Sequence, residues 1–484
     1  MSRRRTALLA AVVLGSGLPV AATALAAAPS CGSGLTPPAL SFGKRVYIDT
    51  VRPGGEPVSV IGQDGSINVS AHGGTTHLYK DPNALAAGGV DLASTYSNQT
   101  LNWRSTDGGK HWKYVGTAGQ EAGPHTVTST GFSDPDYAID AAGRIYNTEI
   151  DLANVSVFSS GDDGQTYSRG VAEVTSGDRP WLTAGGRDEV YLYVNTFQQV
   201  FRSTDGGLTW RLQSQNNSAG PDAKMYVDPL NQDGLIGPHN PQGVTISADN
   251  GKTWKAYDGA KLDKTVDFFG AVAVDKAGNA YRAAAGGYTG PGDTKVTGGT
   301  VTFNSFDRKA LRWGKPVRIP APDGDMLWPW VVAGDDGHVA VAWLQRLPAH
   351  KDRFEMYVAA TANAHGTTVR CSNGSTRFVP SQWTVADASH GPVHVGDICL
   401  NGTACNASSS FTSGDRRLGD FYTVNYDKDG RVFVVGGSTV RPGKDGNLPT
   451  SVPIFVAATS GPRMIATPMR TRPSREPCGL NPLC

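Results

Sequence analysis

From Glu56 to about Ser460 the chain alternates short apolar or aromatic runs with turns rich in Gly, Asp and Asn, and it has few long helical patterns. β-Branched and aromatic residues between turn signals predict strands, so the fold class expected is all-β. A loose unit recurs: an acidic residue, a short strand, a turn containing Gly, then an apolar strand. It starts at Glu56 (EPVSVIGQDGSINVS), Asp136, Asp178, Asp222, Asp267, Asp325 and Asp420 (DFYTVNYDKDGRVFVVGG), which makes seven units.

Between the later strands of the first four units lies a tighter signature, Ser-x-Asp-x-Gly-x-Thr-Trp. It occurs at Ser105–Trp112, Ser160–Tyr167, Ser203–Trp210 and Ser247–Trp254, with His111 and Tyr167 as departures at its last two places. A tight hairpin needs a residue tolerant of positive φ, met here by Gly109, Gly164, Gly207 and Gly251. Asp107, Asp162, Asp205 and Asp249 can accept hydrogen bonds from the turn's own backbone, so they read as turn-formers rather than catalysts. Unit five carries a worn version near Ser305, Asp307 and Trp313.

Each unit thus supplies strand, turn, strand, strand, hairpin, strand. Such a four-stranded blade cannot bury both faces alone and must stack in a ring. A single β-propeller of seven blades is expected, with six or eight as the alternative counts. Ser41–Thr50 can supply the strand that closes the ring. The stretch 366–418 reads as a long Cys-containing insertion between blades six and seven, and 466–484 as a tail tied by a disulfide.

The signatures resemble Asp boxes, or BNR repeats. Together with GEPVSV, DRPWL and GDFYTVNYDKDGRVFVV they resemble the secreted sialidase-like BNR-repeat proteins of bacteria. The resemblance implies a propeller that acts on or recognises extracellular glycans. Three features depart from sialidases: no FRIP-type segment, seven units against six blades, and no placeable Tyr–Glu pair.

Composition narrows the partners. Lys plus Arg is 44 against 43 for Asp plus Glu, leaving no basic surplus for nucleic acid. Arg3–Arg5, an apolar run and the small residues up to Ala28 predict an export signal over 1–28, too short to span a bilayer. No later segment is apolar enough to do so. A secreted, extracellular monomer is expected. The six cysteines, Cys31, Cys371, Cys399, Cys405, Cys478 and Cys484, then predict three disulfides. Proximity favours Cys399–Cys405, and Cys31 with Cys478 or Cys484 would tie the chain ends together.

Candidate chemistry follows from the unit openings. If these carboxylates ring one mouth of the channel, they raise one another's pKa or demand a cation such as Ca²⁺. Asp136, Asp178, Asp325 and Asp420 are the catalytic candidates for a glycoside hydrolase using mouth carboxylates. Glu56, Arg179, Trp181, Asp222, Asp267 and Trp328 are the ligand-binding candidates. Sugars present C–H patches to aromatic faces, and among the aromatics beside these carboxylates Trp181 and Trp328 are singled out because each lies close to an aspartate and a proline. The alternative is a non-catalytic propeller that binds extracellular glycan or protein. The histidines form no metal-like spacing, and no GxSxG elbow occurs.

Overall fold

The computed structural model describes residues 36–50, 52–73, 100–117, 133–151, 154–168, 171–175, 177–240, 242–260, 262, 265–266, 269–371, 373–401, 414–440, 447–481 and 484. The expected export signal, Cys31, Cys405 and Asp267 lie outside the described residues. Within them the chain forms seven antiparallel blades of a β-propeller and no α-helix. No helix is long and apolar enough to cross a membrane.

The first strands of the seven blades are Gly55–Ile61, Ser133–Ile139, Trp181–Ala184, Tyr226–Val227, Val272–Val274, Asp325–Ala333 and Thr423–Tyr426. Each begins its sheet, and together they surround the central channel. The sheets bury both faces against their neighbours. Ile61, Ile67, Val69 and Trp103 of blade one pack on Phe433, Val435 and Phe455 of blade seven. Tyr146, Val155 and Val157 of blade two pack on Leu182, Val190 and Leu192 of blade three. Each fully buried large side chain contributes roughly 1.5–3 kcal/mol, so the core is a circular series of interblade layers.

Ring closure uses the N-terminal segment, as the sequence suggested. Ser41–Phe42 and Val46–Tyr47 pair with Asn447–Ser460, the third strand of blade seven, with Ser41 opposite Ser460 and Val46 opposite Phe455. The cysteines do not reinforce this closure in the expected way. Cys478 is bonded to Cys484, six residues away with Cα atoms 5.7 Å apart, so neither ties the tail to Cys31. Cys371 and Cys399 are also disulfide-bonded.

Hydrogen bonds dock the tail instead. Ala466 N–H donates to Asp335, Met469 N–H to the Lys428 carbonyl, Arg472 N–H to the Gln63 carbonyl and Cys478 N–H to Asp162. The tail therefore runs across blades six, seven, one and two. The stretch 366–418 also differs from expectation. Thr384–Asp387 within it is the fourth strand of blade six, preceded by a separate hairpin of Thr367–Arg370 and Thr376–Val379. Its Ser- and Thr-rich composition hides strands that are only half-buried.

The four Ser-x-Asp-x-Gly hairpins are alike. Ser Oγ accepts from the N–H of Gly109, Gly164, Gly207 or Gly251 at 2.9 Å in every case. The aspartate Oδ1 accepts two further backbone N–H groups, as Asp205 does from Leu208 and Thr209. In three of them the indole N–H of Trp112, Trp210 or Trp254 closes the turn on the glycine carbonyl at 3.0–3.1 Å. Tyr167 instead turns inward, its hydroxyl 2.9 Å from that of Tyr137. Because strands alternate in direction, these hairpins lie at the end of the blades opposite the starts of the first strands.

Candidate functional site at the channel mouth

The site is set by a repeated backbone device. The hairpin joining the first two strands of each blade starts at Gly62, Asp140, Gly185, Asp228, Asp275, Gly334 or Asp427, whose N–H groups make equivalent bonds across the turn. Six residues before each of these stand Glu56, Asp134, Arg179, Asp222, Phe269, Trp328 and Phe421. Four of the seven precede proline: Glu56–Pro57, Asp134–Pro135, Arg179–Pro180 and Trp328–Pro329. All four adopt positive φ, between 49° and 56°. Non-glycine residues seldom do so, at a cost of about 1–3 kcal/mol each. In blades one, two and six the strand register also shifts here. This strained bulge marks one level of the mouth in four blades.

The acidic ring expected from the unit openings is therefore corrected. The place taken for Asp136 belongs to Asp134, which the sequence reading missed. Asp136 sits two residues further into the channel, accepting from Leu182 N–H at 2.7 Å and ion-paired with Lys224. Asp325 is buried in an ion pair of 2.8 Å with Arg346. Asp420 pairs with Arg416, at 2.8 Å for its second contact. Asp178 is exposed, 3.6 Å from Arg179, and Asp222 accepts from Asn240 and Gln198. The signal that would have found Asp134 is the residue–proline step, which restricts the preceding backbone.

Between blades one, two and seven the carboxyls converge. Glu56 Oε1 accepts the Asp420 N–H at 2.7 Å, and Oε2 lies 3.3 Å from His72 Nε2. Glu56 also shares a side-chain hydrogen bond with Asp134. Gly419 allows this approach, since a Cβ there would stand 2.2 Å from Glu56 Cγ. Burial pushes Glu56 up to about 7, with the neighbouring Asp420 adding and Arg416 opposing. Burial, then Glu56, Asp178 and Asp420, hold Asp134 well above the usual carboxylate range. Two buried carboxyls that each raise the other's pKa resist being ionised together. Burial likewise lowers His72 to about 4, leaving the imidazole neutral at neutral pH.

Arg179 reaches Asp420 at 3.7 Å and lies 4.4 Å over the Phe269 ring. Next to it an aromatic layer fills the channel: Trp181 meets Phe269, Trp330 and Phe421 at centroid distances of 5.1, 5.8 and 5.6 Å. Trp181 and Trp328 are both buried, so neither offers an open face to a sugar. Deeper in the channel is a cavity of about 270 Å³, lined by Asp136, Lys224, Tyr226 and Trp330 among others.

For Ca²⁺, the mouth carboxyls are already engaged with Arg416, Arg179, His72 and each other. Among the described residues one group brings His and carboxylates within 4.8 Å, Asp275, Asp336 and His365, and it lies at the opposite end. Asp275 there is taken up by Ala277, Asn279, Tyr281 and Gly337.

No protein-family model matches the chain, and no curated protein matches it. Among solved structures it is similar to a GH74 xyloglucanase from Xanthomonas campestris, at 13% identity and a TM-score of 0.43, over 84% of this chain and 55% of that one. A Hadza microbial sialidase is 16% identical at a TM-score of 0.37, over 64% of this chain and 68% of that one. A fungal alcohol oxidase is 11% identical at a TM-score of 0.45, over 87% and 76%. These are likenesses in the course of the chain, and what the protein does has to be argued from its own mouth.

Proposed function

We propose that the protein is a secreted propeller that acts on glycans at this mouth as a glycoside hydrolase. The observation that carries the reading is the convergence of two buried carboxyls, Glu56 and Asp134, beside an exposed carboxylate, Asp178. Glycosidic cleavage needs one carboxyl kept protonated and another ionised nearby. Asp134, the more accessible of the pair, is the proton donor. Glu56 holds that proton in place, and Asp178 is the second carboxylate. The disulfides and the expected export signal support work outside the cytoplasm.

The test is turnover of a glycan panel by the purified protein and by Asp134→Asn. General-acid loss lowers the rate about 10²–10⁴-fold. An Asp134→Asn protein that is folded and turns over like the parent sinks the assignment. A second reading, a non-catalytic glycan-binding module, is favoured by the burial of Glu56, Trp181 and Trp328. Glycan binding without turnover in the parent protein selects it.

A further inference from the structure

We infer that the sugar taken at this mouth is uncharged: the site fits a neutral glycan and rejects one bearing a carboxylate. The inference rests on the glycan reading above and adds the substrate class. Its basis is a count of charges and of what each already holds. Four carboxyls, Glu56, Asp134, Asp178 and Asp420, face two guanidiniums, Arg179 and Arg416. Even with one of Glu56 and Asp134 protonated, one net negative charge remains.

Neither guanidinium is available to a substrate anion. Arg416 is 4% exposed along its side chain and puts both terminal nitrogens on Asp420. Arg179 divides itself between Asp178 and Asp420, at 3.6 and 3.7 Å, over the Phe269 ring. Of the three other buried arginines among the described residues, Arg346 and Arg417 are held by Asp325 and Asp415, and Arg282 donates to the carbonyls of His239 and Gly243. A ligand carboxylate entering here would be desolvated among like charges, while Arg179 and Arg416 are already paired with carboxylates. Sugar hydroxyls, in contrast, are donors that ionised carboxylates accept.

The experiment measures the full mature protein against an array holding neutral pentose and hexose oligosaccharides beside sialylated and uronic-acid glycans. Binding or turnover of neutral members is expected, with acidic members weaker by about tenfold or more, as one unpaired like charge at this depth implies. Asp420→Asn, checked for folding by circular dichroism, releases both arginines and narrows that gap. Acidic glycans that match or exceed neutral ones in the parent protein overturn the inference and leave the glycan reading standing. If Asp420→Asn fails to fold, the parent array alone decides. Silence of both classes overturns the glycan reading itself, and this inference with it.

Discussion

Replacing Lys224 with Met tests how the channel is held together. The Lys224 ammonium pairs with Asp136 of blade two and donates to the carbonyls of Tyr137 at 3.1 Å and Leu182 of blade three at 2.9 Å. Its side chain is 18% exposed and that of Asp136 only 4%. Removing one member of so buried a pair strands the other, at a cost of about 3–5 kcal/mol. The cost depends on pH with a definite sign. Burial already holds Asp136 above its ordinary pKa, with Lys224 opposing. Without Lys224 the pKa rises further, so the folded state binds a proton more readily than the unfolded one. An acid shifted in that direction adds stability at low pH that is lost as pH rises through its folded pKa. The deficit of Lys224→Met should therefore be small near pH 4 and full by pH 8. Urea unfolding midpoints at both pH values, for Lys224→Met and for the double variant with Asp136→Asn, measure it. The double variant should regain most of the loss at pH 8. A deficit below about 1 kcal/mol at pH 8, or one that is equal at both pH values, refutes the account.

Two further outcomes follow from hydrogen bonds and burial described above. Glu56, raised to about 7, draws stability away as pH climbs from its unfolded value of 4.5, while His72, lowered to about 4, adds stability up to its unfolded 6.5. Glu56→Gln should therefore gain stability relative to the parent between pH 4.5 and 7, and a difference that is flat across that window, by thermal melts, contradicts the burial argument. Asp162 accepts from Gln165, Thr166 and also the tail's Cys478 N–H, whereas Asp205 serves only its own turn. Asp162→Ala should cost more than Asp205→Ala, by about 1–2 kcal/mol, and should open the bond after Arg475, now held on the Gly161 and Ala142 carbonyls, to trypsin. Equal losses with an uncut tail would show that the Asp162 contact does not hold it.

The scaffold was legible because its cause is local. Positive-φ glycines and self-bonding aspartates act within a few residues, so Ser105–Trp112 and its three relatives announce hairpins, and seven unit openings announce seven first strands. The site was less legible because its geometry is interblade. Which of Asp134 and Asp136 enters the acid pair depends on a register shift in the first strand, and a carboxylate two residues off in a strand still satisfies the same composition pattern. Likewise nothing local says that Asp325 will meet Arg346 or that Trp181 will be walled in by Phe269, Trp330 and Phe421. The tail pairing failed for a related reason: six cysteines permit many partners, and only the fold shows Cys478 beside Cys484.

The residue–proline bulge at Glu56, Asp134, Arg179 and Trp328 has a consequence for how such a mouth can change over time. The proline and the twisted backbone do the aiming, so the residue they aim is free to vary. In one molecule the same station already displays two acids, a base and an indole. A lineage could therefore exchange the chemistry of its mouth one codon at a time while every strand stays in register, and a designer could do the same, treating the four stations as sockets in a frame that does not need redesign.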